Sequence, residues 1–459
     1  MENIKVEAKE LKEKLFYKKK NIFSNGENDA VFAFAEDYKV YLDNSKTERD
    51  AVITSVELSK KAGYTEYALG DKINEGDKKY FVNHKKSFVA FKKGKKGAPV
   101  KILASHIDSP RLDVKQNPLY EEEGMAYLKT HYYGGIKKYQ WTAVPLALHG
   151  VICLNDGSEV NICIGEDEKD PVFYITDILP HLAREQAEKS IAKAIPAESL
   201  NVIVGGLPYD EESSDAIKLG VMKILNDAYG IVEEDFLSAE LCLVPAEKAR
   251  DVGFDRAFIS AYGHDDKVCS YPALRALYEY EGDETVVVIL ADKEEIGSEG
   301  NTGMQCAIFT DILEEIAKAD GISYAILRQN AQCLSADVTA GYDPNFASVF
   351  EKRNSALISC GVAMSKFTGA GGKSSSNDAS AEYVSIVRAK FAKENVVWQS
   401  AELGKTDAGG GGTVAKYIAK LNIDTVDLGV PVLSMHAPYE VISKADLYSC
   451  YEAFKAFIK

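Results

Sequence analysis

The sequence lacks three features that would place the protein in a special class. Among its 459 residues there is no run of 18 apolar residues, so no segment predicts a membrane-spanning helix. The eight cysteines are scattered and form no Cys-x-x-Cys pair, which argues against a structural zinc ribbon. Basic residues are also fewer than acidic ones, with 54 Lys and Arg against 70 Asp and Glu. The formal net charge of -16 argues against a nucleic acid as the main partner.

The rest of the composition is that of an ordinary globular protein, with 46% hydrophobic and 27% charged residues. At about 150 residues per domain, the length predicts two or three domains. Several cysteines lie in apolar runs such as LCLVP, which is typical of buried free thiols in a reducing compartment. The N-terminus is charged and lacks the apolar core of a secretory signal. We therefore expect a cytoplasmic protein that contacts neither membrane nor nucleic acid.

The order of predicted elements indicates one α/β domain that is interrupted by a β-rich insert. Residues 1–110 end in apolar strands such as PVKILASHID and predict the first part of the α/β domain. Residues 111–255 contain many short strand-like runs separated by Gly and Pro, which predict a compact β-rich module. Strands alternate with helices over residues 256–459. This alternation predicts a mostly parallel sheet with helices on both faces.

Histidines and acids stand where the predicted strands of the α/β part end. In doubly wound folds the carboxyl ends of the strands meet in one crevice. A single histidine or aspartate at such a place is more often structural, but a whole set of them indicates a site. The set comprises His106, Asp108, His264, Asp265, Asp266, Glu294, Glu295, Asp337 and His436.

Two divalent metal ions would account for such a set, because crowded carboxylates repel one another unless cations lie among them. Zinc accepts imidazole nitrogen and carboxylate oxygen and leaves a position for water. At the turn after a strand, Glu294 and Glu295 diverge, so one of them can bind a metal while the other takes a proton from the water. Asp108 either orients His106 or caps the turn before Pro110.

The motifs SHIDSP, GHDDKV, DKEEIGSEG, SADVTAGYDPNF and TVDLGVPVLSMHAPYE occur in this order over nearly the whole chain. In that combination the chain resembles the aspartyl aminopeptidase family of dinuclear zinc metallopeptidases, relatives of the glutamyl and tetrahedral aminopeptidases. The chain departs from the family pattern beside several motifs, as in GHDDK and SMHAPYE. The resemblance implies a metal held by His106 and Asp337, a second metal held by Glu295 and His436, a bridging Asp265, a general base Glu294 and a supporting Asp108.

The same resemblance implies further features of the assembly and the substrate. The inserted β-rich domain would mediate dimerisation, and dimers would assemble into a tetrahedral dodecamer. His181, in ILPHLAREQ, would reach the active site of a neighbouring subunit, unless it is a solvated residue at a helix start. Lys366 would pair with the carboxylate of an acidic N-terminal residue, unless it is a surface lysine.

The function expected from these features is that of a metal-dependent aminopeptidase. Two metal ions, zinc or alternatively cobalt or manganese, would activate a water that attacks the first peptide bond of a peptide substrate. The glycines 409–412 carry no Lys-Ser/Thr sequence after them, so they predict an active-site loop or a linker and no nucleotide-binding loop. Two alternatives are a metal-dependent deacylase or carboxypeptidase acting on small amides, and a catalytically silent assembly scaffold.

Overall fold

A computed structural model describes residues 2–26, 28–210 and 214–459. Helix α3, Glu48–Lys61, shows how local sequence sets an element, because Thr47 and Asp50 form a reciprocal capping box at its N-terminus. No helix within these ranges is long and apolar enough to cross a membrane. The α-helices described are α1 Glu2–Leu15, α2 Asp29–Asp43, α3 Glu48–Lys61, α4 Arg184–Ala187, α5 Ile191–Ala194, α6 Ala216–Tyr229, α7 His264–Tyr278, α8 Ile308–Asp320, α9 Tyr324–Asn330, α10 Ala381–Lys393, α11 Ala415–Ala419 and α12 Lys444–Ile458.

The strands form three sheets. Within the described residues, in chain order, they are β1 Thr65–Glu66, β2 Lys78–Asn83, β3 Ser87–Lys92, β4 Val100–His106, β5 Arg111–Glu122, β6 Met125–Tyr133, β7 Pro145–Cys153, β8 Glu159–Ile164, β9 Phe173–Tyr174, β10 Val202–Gly205, β11 Ala239–Pro245, β12 Arg250–Val252, β13 Phe258–Ala261, β14 Thr285–Ala291, β15 Gln332–Ser335, β16 Thr339–Ala340, β17 Val362–Ser365, β18 Trp398–Ser400, β19 Asp424–Gly429, β20 Pro431–Leu433 and β21 Glu440–Ser443.

The largest sheet has the strand order β1-β2-β3-β14-β4-β15-β19-β17-β18. Its centre, β14, β4, β15 and β19, is parallel, whereas β3 pairs antiparallel with β2 and β14, and β17 with β19. The mostly parallel sheet predicted from the sequence is therefore a mixed sheet. One reason is that residues 84–86 alone join β2 to β3, and so short a turn permits only a hairpin.

Strand β14 shows how this sheet is buried on both faces. Val286, Val288 and Leu290 pack into a cluster with apolar residues of α2, α7 and α12. Val287 and Ile289 point the other way, into a cluster with residues of α8 and α9. Successive side chains of a strand alternate between the two faces, so a continuous apolar run is needed where helices cover both. The fold is thus a mixed α/β fold with helix layers on both faces of its main sheet.

The β-rich segment that interrupts the chain contains a closed barrel. Strands β11, β5, β6, β10, β9 and β7 are neighbours in that order, and β11 also pairs with β7, so the ring of six strands closes. Strand β8 extends the sheet from β7. Trp141 and Leu146 lie fully buried in the apolar core of this barrel. Closure of the ring, which removes the free strand edges, was not evident from the spacing of the strands in the sequence.

A small third sheet has the strand order β12-β13-β21-β20-β16. Strand β13 leads into the start of α7, β16 begins just after residue 337, and β20 ends just before residue 436. Three segments that carry candidate site residues are therefore held together by one set of backbone hydrogen bonds.

Two buried charged groups connect parts of this fold. Lys93, on the loop after β3, pairs with Asp320 at the end of α8 at 2.8 Å, and both side chains are almost fully buried. His149 of the barrel lies 3.1 Å from Asp50 of α3 and 2.9 Å from Glu166. Burial disfavours the charged imidazole, but the two carboxylates outweigh it and raise the pKa of His149 to about 11.

Candidate metal centre

The candidate site lies at the carboxyl ends of three adjacent strands of the main sheet. His106 is the last residue of β4, Asp337 follows β15, and Glu294 and Glu295 form a short helical turn after β14. Strands β14, β4 and β15 are parallel neighbours, so their ends converge on one edge. The turn after β14 begins at Lys293 with a positive φ of 63°, which directs the chain sharply out of the strand.

Asp265 and His436 reach the same place from the small third sheet. The Oδ1 atom of Asp265 lies 3.1 Å from Nε2 of His106, and its Oδ2 atom lies 3.2 Å from Nε2 of His436. One carboxylate therefore faces both imidazoles, one oxygen toward each. This is the geometry that a carboxylate shared between two cations requires.

The remaining acids complete two groups of ligand atoms. His106 Nε2 lies 3.7 Å from Asp337 Oδ1, and His436 Nε2 lies 3.5 Å from Glu295 Oε1. In the described part of the chain, two sets of residues place three ligand atoms within 4.8 Å of one another. They are His106 with Asp265 and Glu295, and His106 with Glu294 and Asp337.

The chemistry of these atoms fits divalent metal ions. His106 Nε2, Asp265 Oδ1 and Glu295 Oε1 are buried and lack a hydrogen-bond partner among the described residues. Buried polar atoms are almost always paired, so three unpaired ones that face a common point indicate a bound cation. Imidazole nitrogen and carboxylate oxygen form the donor set that zinc accepts.

The electrostatics of the site lead to the same conclusion. Burial, and then the nearby carboxylate of Asp337, raise the pKa of Glu294 to about 8. Burial and Asp265 hold the pKa of Glu295 well above its usual range, and burial raises the pKa of Asp337 as well. These carboxyl groups are thus reluctant to ionise together, and a divalent cation between them would reverse this by stabilising the ionised forms.

Asp108 contacts both His106 and the glutamate turn, and its backbone carbonyl oxygen lies 3.1 Å from Nδ1 of His106. Its side chain is fully buried, and Oδ1 lies 3.3 Å from Nδ1 of His106. The backbone N–H groups of Glu294 and Glu295 donate to its two oxygens at 3.1 and 3.2 Å, and the hydroxyl of Tyr133 donates at 2.8 Å. Such partners fix the ring orientation of a metal-ligating histidine.

Glu440 was not singled out in the sequence, yet it organises the other half of the site. Its side chain is 1% exposed and accepts the backbone N–H of Asp265 at 3.0 Å and that of His436 at 2.7 Å. The imidazole of His436 is held through Nδ1, 2.8 Å from the carbonyl oxygen of Gly135. The one sequence signal for Glu440 was its position four residues after His436 in SMHAPYE.

Three further sequence candidates do not belong to the two groups of ligand atoms. His264 is buried in the core, where Nδ1 meets the hydroxyl of Tyr38 at 2.9 Å, and burial lowers the pKa of His264 to about 3. His181 is exposed on a short helical turn of the inserted segment. Lys366 is half-exposed and hydrogen-bonds Asp378. The roles of His181 and Lys366 stay predictions.

A cavity of about 300 Å³ opens beside the ligand cluster. Five of the predicted site residues line it, together with the glycine-rich loop. The loop therefore lies beside the candidate site, which is the position expected of an active-site loop. Its lining includes Asp265, Glu294, Glu295, Asp337, His436 and glycines 410–412.

The profile of a family described as "Aminopeptidase I zinc metalloprotease (M18)" matches residues 41–458. The chain belongs to the M18 family. A curated relative in Clostridium acetobutylicum, named "Probable M18 family aminopeptidase 1", is 48% identical over 440 residues, which cover 93% of this chain and 95% of the relative. The relative of the same name in Thermotoga maritima is 43% identical over 451 residues, which cover 96% of this chain and 99% of the relative.

Solved M18 structures share the whole fold. The crystal structure of an M18 aminopeptidase from Thermotoga maritima superimposes with a TM-score of 0.93 at 42% identity, covering 97% of this chain and 100% of the other. The crystal structure of aminopeptidase I from Clostridium acetobutylicum superimposes with a TM-score of 0.91 at 44% identity, and it also covers 97% of this chain and 100% of the other. The Saccharomyces mApe1 dodecamer, at 20% identity and a TM-score of 0.75 over 93% of this chain and 96% of the other, shares the fold.

Membership of the M18 family settles the class of reaction. This M18 chain is a metal-dependent aminopeptidase, a hydrolase that removes residues from the N-terminus of peptides. The resemblance noted in the sequence is confirmed, because the M18 family includes the aspartyl aminopeptidases.

Proposed function

We propose that the cluster holds two divalent metal ions, most simply zinc, and that Asp265 bridges them. His106 and Asp337 would hold one ion, and Glu295 and His436 the other. The observation that carries this proposal is the position of Asp265, whose two oxygens face one imidazole each at 3.1 and 3.2 Å. Metal ions bound there would polarise the scissile carbonyl and lower the pKa of a water molecule.

Glu294 acts as the general base in this proposal. Its carboxylate lies with His106 and Asp337 in one group of ligand atoms and lines the cavity beside them, where a general base could reach a bound water. Its backbone N–H is fixed on Asp108, so the turn that presents the carboxylate cannot swing away from the cluster. Glu294 takes the proton of the attacking water and delivers it to the nitrogen of the leaving amine, while its neighbour Glu295 remains a ligand.

The inserted segment, residues 111–255, serves as the dimerisation module in this proposal. Around His181, Ile178, Leu179 and Leu182 expose 44, 50 and 67% of their surface, which is unusual for apolar side chains and supports contact with another subunit. The assembly is then a homo-oligomer, with the tetrahedral dodecamer as the expected form and His181 directed at a neighbouring active site. Light scattering of the purified protein would measure its size.

The eight free cysteines support a reducing compartment such as the cytoplasm. The substrates proposed are peptides with a free N-terminus. A panel of unblocked dipeptides and their N-acetylated forms would separate an aminopeptidase from a deacylase, with chelator added to one half of each assay. Chelator-sensitive release of an amino acid from the unblocked forms alone would support the proposal.

Replacing Glu294 with Gln tests the general base directly. The change keeps the shape of the side chain, so the metal content should stay within the error of elemental analysis, while kcat should fall by about 100-fold or more. Glu299→Gln provides the matched control, because Glu299 is an exposed acid five residues further on. A Glu294→Gln variant with normal metal content and near-normal kcat would show that the base lies elsewhere.

A further inference from the structure

A fully buried lysine follows two residues after Asp265. Lys267 lies near the start of α7 and has no exposed surface, and no carboxylate among the described residues lies within ion-pair distance of its amine. Lysine is among the residues least often found fully buried, because taking its amine out of water is costly. The burial of Lys267 therefore indicates a specific contact that an apolar side chain could not make.

That contact is with the hydroxyl of Ser109, in the segment after β4. Nζ of Lys267 donates a hydrogen bond to Oγ of Ser109 at 2.7 Å, and Oγ of Ser109 donates to the backbone carbonyl oxygen of Asp265 at 2.8 Å. A serine hydroxyl has one hydrogen to donate and can accept a hydrogen bond at the same time. The amine, the hydroxyl and the carbonyl group thus form one continuous chain of hydrogen bonds.

The residues around this chain leave it little room to move. A Cβ atom at Gly263 would lie 2.9 Å from Nζ of Lys267 and 3.0 Å from Oγ of Ser109, so a side chain there would collide with both. The ring centroid of Tyr262 lies 5.9 Å from Nζ, and the hydroxyl of Tyr262 donates to the carbonyl oxygen of Pro110 at 3.0 Å. Lys267 and Ser109 are therefore confined to the arrangement in which they contact each other.

Asp265 is held in this way at both of its backbone polar groups. Its N–H donates to Glu440 at 3.0 Å, and its carbonyl oxygen accepts the hydroxyl of Ser109. Its two carboxylate oxygens face the imidazoles of His106 and His436 at 3.1 and 3.2 Å. The side chains of a metal site must be held within about 0.5 Å of their working geometry by the groups around them. The backbone of Asp265 therefore decides whether one carboxylate can serve both sides.

We propose that Lys267 and Ser109 are positioning residues for Asp265. The amine fixes the hydroxyl, the hydroxyl fixes the backbone of Asp265, and the carboxylate can then bind two metal ions at once. This inference rests on the proposed function, since it concerns the bridge between the two ions of the same site. Partners that orient metal ligands typically change metal affinity by about 10- to 100-fold. Because Lys267 acts through a second residue, we expect an effect at the lower end of that range.

Stepwise zinc binding tests the proposal, measured on the intact protein by competition with a chromophoric chelator. Lys267→Met keeps a long buried side chain without the amine and should weaken the binding of the second zinc ion about tenfold. The first ion, which one oxygen of Asp265 can still serve, should change by less than about threefold. Ser109→Ala removes the donor on Asp265 itself and should have at least as large an effect. Because Lys267 acts through Ser109, the double variant should bind zinc no more weakly than Ser109→Ala alone.

Cobalt(II) provides a spectroscopic reading that a loss of stability alone would not change. Two cobalt ions joined by one carboxylate interact magnetically, so their EPR signal per ion is smaller than that of two separate ions. Lys267→Met loaded with two cobalt ions should therefore show a larger signal per ion than the wild type.

Lys93→Met is the matched control, because it also removes a buried lysine. Lys93 follows the end of β3, which pairs with the start of β14, whereas the metal ligands follow the end of β14. The control variant should lose stability and leave both zinc constants and the cobalt signal unchanged.

Three results would overturn the proposal. The first is a Lys267→Met protein whose zinc constants stay within about threefold of the wild type and whose cobalt signal is unchanged. The second is equal weakening in Lys93→Met, which would assign the effect to lost stability. The third is a double variant that binds zinc about tenfold more weakly than Ser109→Ala.

If Lys267→Met does not fold, Ser109→Ala decides by the same measurements, and unchanged zinc constants in that variant would overturn the proposal. A wild-type protein that binds fewer than two zinc ions would instead count against the proposed function, and this inference would fall with it.

Discussion

Replacing Asp108 with Asn is expected to weaken metal binding and the fold together. The carboxylate is fully buried, and its two oxygens receive three donors: the hydroxyl of Tyr133 and the backbone N–H groups of Glu294 and Glu295. It also faces Nδ1 of His106 at 3.3 Å. Asparagine has nearly the same shape but turns one acceptor oxygen into an NH2 donor and removes the charge.

The size of the effect follows from these contacts. Each oxygen of Asp108 serves two of the four partners, so whichever oxygen is replaced, two partners lose their acceptor. A hydrogen bond to a charged group contributes about 1.5–3 kcal/mol, and the Tyr133 hydroxyl can rotate to accept from the new NH2 group. We therefore expect unfolding to become easier by about 3 kcal/mol. Metal affinity should fall by about 10- to 100-fold, as for other partners of ligating histidines.

Zinc affinity would be measured by competition with a chromophoric chelator, and stability by urea unfolding of the metal-free protein. Tyr133→Phe is the matched control, because it removes one donor and leaves the carboxylate, so its zinc affinity should change by less than about threefold. An Asp108→Asn protein that binds zinc within threefold of the wild type would refute the reasoning, since it would show that the backbone carbonyl of Asp108, 3.1 Å from Nδ1, orients His106 without the carboxylate.

Two further predictions concern the buried charges of the fold. Lys93→Met leaves the buried Asp320 without its partner and should cost about 3–5 kcal/mol of stability by urea unfolding. Lys95→Met, which breaks an exposed pair with Asp283, should leave the urea midpoint unchanged, and equal losses in both variants would contradict the argument. His149→Gln tests a pH dependence. The folded-state pKa of His149, about 11, lies above its unfolded value of about 6.5. The stabilisation by charged His149 is therefore complete below about pH 6.5 and disappears as the pH rises through 11. The loss of stability on His149→Gln, measured by urea unfolding, should therefore be about 2 kcal/mol at pH 6 and smaller at pH 9.5, and an equal loss at both pH values would contradict the argument.

Much of the site was predictable from the sequence because it depends on where strands end. The apolar runs before His106, Glu294 and Asp337 predict strands, and parallel strands in an α/β fold end at one edge. The crowding of Glu294 and Glu295 after a buried strand was also a local signal. These inferences need only the period of the apolar residues and the chemistry of the residue that follows.

The tertiary structure decided what depends on contacts between distant segments. Asp265 faces two imidazoles because the small third sheet brings the start of α7 beside the loop of His436. Tyr133 donates to Asp108, and Glu440 accepts the backbone N–H of Asp265, so the roles of both depend on segments that only the fold brings together. Likewise, Ser365 at the end of β17 lines the cavity, whereas the next residue, Lys366, lies outside the lining and pairs with Asp378.

The sequence by itself thus determined which residue types stand at the strand ends and that the chain alternates strands with helices around a β-rich insert. Strand order, register and barrel closure came only from the tertiary structure. The physical reason is that apolar periodicity is a local property of the chain. The direction of β3, the closure of β11 on β7 and the pairing of Asp427 with Ser365 depend instead on which distant segments meet and bury each other.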